Sequence, residues 1–426
     1  MKFISQYKGL PRGVYILCSA RIITAMGMFI FSFTSLILTS ILGFSEVLAG
    51  YVLMCSSLCG IAGAFLLGRL SDVLGRKKVL VAAMTVGAVN LFNGGLICRT
   101  PYVIGVILLS NFIFSGVLPT FAALVTDWSN ESNRSQCFSL LYLCINVGFS
   151  VGQVFAGILF YNYYPWIFWG QGLGWLACMI IVVLFVKDEF VPEKARKAAG
   201  DRQTSETTLT SRRFRFLYMV AKDKTLLGFI LTLILLVFCH TQISFMIPLQ
   251  YKGVLGLEQC SLLISRLWLI NGICCVVLTP FLSLLIRKWK PIKSMLAASA
   301  SFVAAFGIYA LSNNPTVYLA LVPLWTCGEI IYNTTGGIFI GSRAPEAYRA
   351  RYQSLNSFAT SLGQCAGPMI MSHFLIGNSY LGGWLLVSLV SLAALFVISL
   401  VLRRENRLSS LSRDDNLKGK SCCSKC

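Results

Sequence analysis

Twelve runs of apolar residues, each about 20 residues or longer, alternate with short polar segments along the 426-residue chain. Six fall near residues 13–42, 47–68, 79–98, 102–126, 136–160 and 166–186. Six more follow near 225–250, 259–285, 294–312, 316–341, 353–375 and 383–402. About 20 apolar residues of helix cross a bilayer. Backbone N–H and C=O groups find no water there, so each run predicts a membrane-spanning helix, numbered here spans 1 to 12. The expected fold is an all-α polytopic membrane protein of two six-helix bundles, residues 1–186 and 225–402. A central loop at 187–224 and a basic tail at 403–426 complete the expected organisation.

Composition agrees with this pattern: 56% of residues are hydrophobic and 12% charged, about half the charge of a soluble domain. A water-soluble enzyme, a disordered chain and a secreted disulfide scaffold are excluded. The formal charge of +20 invites a nucleic-acid partner, but its distribution says otherwise. With both termini cytoplasmic, all but four of the 36 Lys and Arg fall on the cytoplasmic side. Arg99 and Lys252 lie outside, and Arg21 and Arg266 lie within spans. This positive-inside bias predicts orientation in a cell membrane, not nucleic-acid binding. The first apolar run is too long for a signal-peptide core and is interrupted by Arg21, so it reads as span 1. Of the 16 cysteines, all but Cys422, Cys423 and Cys426 sit in or beside spans, where Cys acts as a small apolar residue. The central loop mixes Glu193-Lys194-Ala195-Arg196-Lys197 with Arg212-Arg213-Phe214-Arg215 and suits either a basic helix on the membrane surface or a tether.

The two halves repeat. Arg134-Ser135-Gln136 leads to Gly148 and Gly152, and Arg349-Ala350-Arg351 leads to Gly363 and Gly367, at a constant offset of 215 residues. A tandem repeat of six spans is an organisation of secondary transporters whose site lies between the halves near the membrane midplane.

Between spans 2 and 3 runs Gly68-Arg69-Leu70-Ser71-Asp72-Val73-Leu74-Gly75-Arg76-Lys77-Lys78. It resembles the signature loop of the major facilitator superfamily. Gly68 is expected to allow close helix approach, Asp72 to face a helix N-terminus, and Arg76 to hold the turn through a forked contact. The resemblance implies that Gly68, Asp72, Gly75, Arg76 and Lys77 latch the halves together on the cytoplasmic side of an outward-facing state. In the second half Arg287, Lys290 and Pro291 replace Asp72, Gly75 and Arg76, a degraded counterpart. In span 5, Gly148, Gly152 and Gly157 are expected to share a packing face. Gly152-Gln153-Val154-Phe155-Ala156-Gly157 resembles the family's antiporter motif, with Gln153 in place of proline and Ala156 in place of a glycine. Gly328 to Asn333, the stretch from Ala344 to Gln353, and Arg21 with its aromatic-rich span resemble the twelve-span drug:H+ antiporter branch. The arginine that many proton-coupled exporters carry in span 4 is absent from Ser110 to Gly116.

Ionisable residues inside spans are costly and mark function or pairing. They are Arg21, His240, Arg266, Glu329 and, near the outer end of span 11, His373. Glu329 is the one carboxylate within a span, about 18–20 Å from either end of span 10. Glu329 and His240 are the proton-coupling candidates; Arg21 and Arg266 are candidates to neutralise Glu329, bind an anionic substrate group or reach lipid headgroups. Spans 1, 4, 7 and 10 line the family's cavity, which adds Asn111, Gln242, Trp325, Tyr332 and Asn333 as substrate-facing candidates. No Gly-x4-Gly-Lys-Ser/Thr loop occurs, so nucleotide-driven pumping is not expected. The expected protein is a monomeric secondary transporter in the lipid bilayer, without cofactor or bound metal, taking a small-molecule substrate with protons as the coupling ion. Export of amphipathic compounds leads; nutrient symport and a transport-inactive receptor or lipid-handling role are the alternatives.

Overall fold

A computed structural model describes residues 7–130, 133–186, 218–345 and 349–423, apart from the side chains of 135, 349–351 and 408–423. The basic stretches of the central loop, the segment from Glu346 to Tyr348 and Cys426 lie outside that description, as do the side chains of Cys422 and Cys423. Among the described residues the chain forms twelve helical rods and no strand. Spans 2 to 6 are Glu46–Leu74, Arg76–Leu96, Val103–Asp127, Arg134–Asn162 and Trp166–Phe185. Spans 7 and 8 share one run, Lys224–Ile286, which turns back at Gly256. Span 9 is Pro291–Tyr309, span 10 is the short Pro315–Ala320 followed by Val322–Ser342, and span 11 is Arg349–Phe374. Span 12, Tyr380–Cys423, continues as helix beyond residue 402, where the apolar run ends.

Polar side chains set several starts, as expected where helix ends leave N–H groups unbonded. Ser45 Oγ accepts from the Leu48 N–H at the start of span 2, and Asp223 accepts from Thr225 and Leu226 at the start of span 7. At the tips, Gly75 (φ 104°) and Gly256 (φ 74°) adopt backbone angles that a side chain disfavours.

Span 1 departs from the unbroken helix that its apolar pattern predicts. It is interrupted between Arg12–Met26 and Phe29–Leu36, and it ends in a wider π turn, Ile37–Ile41. The break frees backbone groups that water cannot reach. Gln153 of span 5 donates to the Met28 carbonyl at 3.0 Å, and Gln171 of span 6 accepts from the Ile30 N–H at 3.3 Å. Gln153, the residue that departs from the antiporter motif, is thus fully buried at the break.

Packing makes the sequence repeat physical. A Cβ on Gly148 would meet the Ile22 carbonyl, and one on Gly152 the Met26 carbonyl, both in span 1. Their partners at offset 215 do the same in span 7, with Gly363 against the Ile234 carbonyl and Gly367 against Thr241. Gly157 does not share this face: it packs on Ser261 and Ser265 of span 8, across the boundary between the halves.

The halves meet along spans 2 and 11 and along spans 5 and 8. With an even number of spans, the first and last described residues lie on one face, here the terminal face. Among the described residues, hydrogen bonds between the halves crowd toward the opposite face. The Tyr380 hydroxyl donates to Glu46 at 2.5 Å. His373 holds Nδ1 2.9 Å from the Met369 carbonyl, so Nδ1 carries the proton and Nε2, in the neutral ring, accepts from Tyr51 at 3.2 Å. Ser261 donates to the Gly157 carbonyl at 3.1 Å. The molecule is closed on the opposite face.

Candidate transport site

Glu329 sits near mid-depth in span 10, about 16% exposed, with its Oε2 2.8 Å from the Asn271 amide of span 8. The same amide donates to Thr326 Oγ1 at 3.0 Å. His240 of span 7 places Nε2 3.7 Å from Glu329 Oε2, beyond hydrogen-bond distance, and that nitrogen is buried without another partner. A carboxylate costly to bury is thereby held by one amide and one imidazole. Rings surround the pair: His240 lies 5.7 Å from Trp325, 6.2 Å from Tyr332 and 6.4 Å from Trp268, all at steep angles. Trp325 is fixed in turn by its indole N–H, which donates to the Tyr309 hydroxyl at 3.2 Å. Phe31 of span 1 and Phe149 of span 5 reach across from the first half to Trp268, at 6.2 and 5.5 Å. Asn333, one turn from Glu329 toward the terminal face, is exposed. The arrangement offers one titratable oxygen pair, a neighbouring imidazole and a flat apolar wall.

Other candidates fall elsewhere. Arg21 is not a partner of Glu329: it is buried within the first bundle, with its guanidinium carbon 5.1 Å from the Phe121 ring and 5.8 Å from Phe114, and Nη1 unpaired. Arg266 is exposed, close to the opposite face, and has no ion-pair partner among the described residues. Asn111 donates to the Ser56 carbonyl at 2.6 Å, joining span 4 to span 2. Gln242 is buried against Gly367 of span 11 and donates to the Phe238 carbonyl at 3.0 Å. In this conformer both amides are engaged in helix contacts. Trp268 and Asn271 escaped the sequence reading. Asn271 carried a usable signal, a lone amide in the apolar run of span 8.

Residues 17–368 match the family model of the Major Facilitator Superfamily. The chain belongs to that superfamily. It is therefore a multi-pass membrane transporter and not an enzyme. It is 23% identical over 363 residues to an uncharacterized MFS-type transporter, YttB, of Bacillus subtilis, covering 84% of this chain and 87% of that one. It is likewise 23% identical over 381 residues to a Na(+), Li(+), K(+)/H(+) antiporter of Planococcus maritimus, covering 83% and 86%. Among solved structures, the nucleoside transporter NupG superposes with a TM-score of 0.73 at 15% identity, covering 92% of this chain and 99% of that one.

The major facilitator loop between spans 2 and 3 is tied inside its own half. Arg76 donates to the Ala123 carbonyl at 3.0 Å and pairs with Asp127, both at the end of span 4. Lys77 donates to the Val183 carbonyl of span 6 at 3.0 Å. Asp72 is exposed and has no ion-pair partner among the described residues. Gly68 does not make the close approach expected of it: a Cβ there would meet only Pro119 Cγ at 3.9 Å. The tight crossing of spans 2 and 4 lies higher, at Gly63 against the Phe112 carbonyl. In the second half the tie uses Arg343, which bonds Asp223 at 3.0 Å and Glu405 at 2.5 Å.

Proposed function

We propose that the protein exports small amphipathic compounds in exchange for protons, with the terminal face in the cytoplasm and Glu329 as the coupling carboxylate. The observation that carries the reading is the Glu329 cluster: a carboxylate near mid-depth, held by Asn271 and faced by His240, beneath a wall of aromatic rings at the boundary of the halves. With the terminal face cytoplasmic, closure on the opposite face makes this conformation inward-facing. A proton and a cationic or hydrogen-bonding substrate group compete for the same carboxylate oxygens, while the rings accept the substrate's apolar body. Each ligand biases the equilibrium between conformers only through its different affinity for the two, so the competition converts a proton gradient into substrate movement.

The Planococcus relative, named as a Na(+), Li(+), K(+)/H(+) antiporter, supports a second reading in which the same carboxylate takes an inorganic cation. Purified protein in proteoliposomes, given an imposed pH gradient and a panel of amphipathic compounds, nucleosides, Na+, Li+ and K+, separates these readings, and the direction of flux separates export from symport. Glu329→Gln is expected to abolish gradient-driven accumulation while leaving substrate binding and downhill exchange largely intact. Accumulation at the wild-type rate by that variant would refute the role of Glu329 and move it to His240.

A further inference from the structure

Hydrogen bonds join the halves near the outer face: Ser35 on the Ser244 carbonyl at 3.1 Å, Ser261 on the Gly157 carbonyl at 3.1 Å, Tyr51 on His373 and Tyr380 on Glu46. Between these bonds and Glu329 lies an apolar layer in which Phe31, Phe149 and Trp268 meet edge to face. Their centroids are 6.3 Å apart for the two phenylalanines, and 6.2 and 5.5 Å from each phenylalanine to Trp268. Two of the rings belong to the first half and one to the second, so the layer exists only while the outer ends are together. Trp268 is 4% exposed, and its other side meets His240 at 6.4 Å and Trp325 at 6.3 Å. Phe31, by contrast, is 54% exposed.

We infer that Trp268 is the gate of the coupling site: with Phe31 and Phe149 it forms the dry layer that separates Glu329 and His240 from the outer boundary. Constrictions of apolar side chains block ions and protons by excluding water. Outward opening pulls Phe31 and Phe149 off Trp268 and wets the site from outside. The contacts of Trp268 with His240 and Trp325 make the same ring sensitive to what occupies the site. This inference rests on the reading of Glu329 as the coupling group, and its test keeps the two apart.

The experiment measures proton leak without substrate, in proteoliposomes holding a pH-sensitive dye, with valinomycin and K+ to clamp the potential. Each edge-on ring contact shifts an equilibrium by roughly two- to tenfold, so Trp268→Ala, which loses both contacts to the first half, is expected to leak about tenfold faster than wild type. Trp268→Phe keeps an apolar ring and stays near the wild-type rate. Phe149→Ala opens the layer from the other half and leaks as well, which keeps the inference testable if Trp268→Ala does not fold. Leak by either alanine variant that Glu329→Gln suppresses supports both the gate and the coupling role. Leak that persists with Glu329→Gln supports the gate and removes Glu329 from the proton path. Folded alanine variants as tight to protons as wild type overturn the gate and leave the coupling role standing.

Discussion

A Cβ added to Gly152 would fall on the Met26 carbonyl beside the break in span 1, where backbone cannot yield as a side-chain tip can. One added to Gly68 finds ordinary contact distance. Gly152→Val is therefore expected to cost about 1–3 kcal/mol, the range for overpacked cores, and Gly68→Ala to leave the thermal midpoint of the detergent-solubilised protein unchanged. Equal midpoints for both variants would mean that spans 1 and 5 part freely at this level. The packing role of Gly152 was legible in sequence because its spacing recurs 215 residues on. Glu329 was legible because a carboxylate inside an apolar run stands alone. The partners of Glu329 were not. A 3.6-residue period gives relative facing along one helix and no absolute rotation, so nothing in the sequence told Asn271 from Gln242, or assigned His240 and not Arg21 to the carboxylate. Arg21 shows the limit clearly: its charge suggested an anionic partner, and the fold places it between phenylalanine rings, where the ring face supplies part of the attraction.

At the level of elements, the loop from Gly68 to Lys78 was recognisable by composition, but its neighbours come from spans 4 and 6, far along the chain. Arg76 pairs with Asp127 at the end of span 4. The second half reverses the signs: Arg343, at the end of span 10, meets Asp223 at the start of span 7 and Glu405 in span 12. Both halves thus fasten the terminal-face end of their fourth helix by an ion pair, with the cation on opposite sides. The second half thus has an ion-pair tie of its own although Arg287, Lys290 and Pro291 stand in place of Asp72, Gly75 and Arg76. The two loop positions separate experimentally. Asp72 is exposed and has no ion-pair partner among the described residues, so Asp72→Asn is expected to leave stability within about 0.5 kcal/mol of wild type while lowering transport, because a contact made only in the other conformer changes the populations. Gly75→Leu forces a side chain into φ 104° and is expected to lose about 1–3 kcal/mol of stability as well. Parallel losses of folded protein and activity in Asp72→Asn would show that the loop acts only in folding.

For the whole molecule, the twelve spans were legible because bilayer thickness fixes the length of an apolar helix. The conformer was not legible, since one sequence encodes both members of an alternating pair and only assembled contacts show which is present. Orientation and conformer are linked. The halves are closed toward the face that carries Glu46, Tyr51, His373 and Tyr380, and this conformer is inward-facing only if that face is extracellular. The proposed function puts the terminal face in the cytoplasm, because the basic residues concentrate there and inner-loop Lys and Arg resist translocation. In a cysteine-free background, single cysteines introduced at Ser205 and after Arg404 are expected to resist a membrane-impermeant thiol reagent in intact cells and to react after permeabilisation. One at Asn378, in the exposed turn between spans 11 and 12, is expected to react in intact cells. The reverse pattern would turn the molecule over: the same contacts would then close the cytoplasmic side, and the Trp268 layer would guard Glu329 from the cytoplasm instead of the exterior.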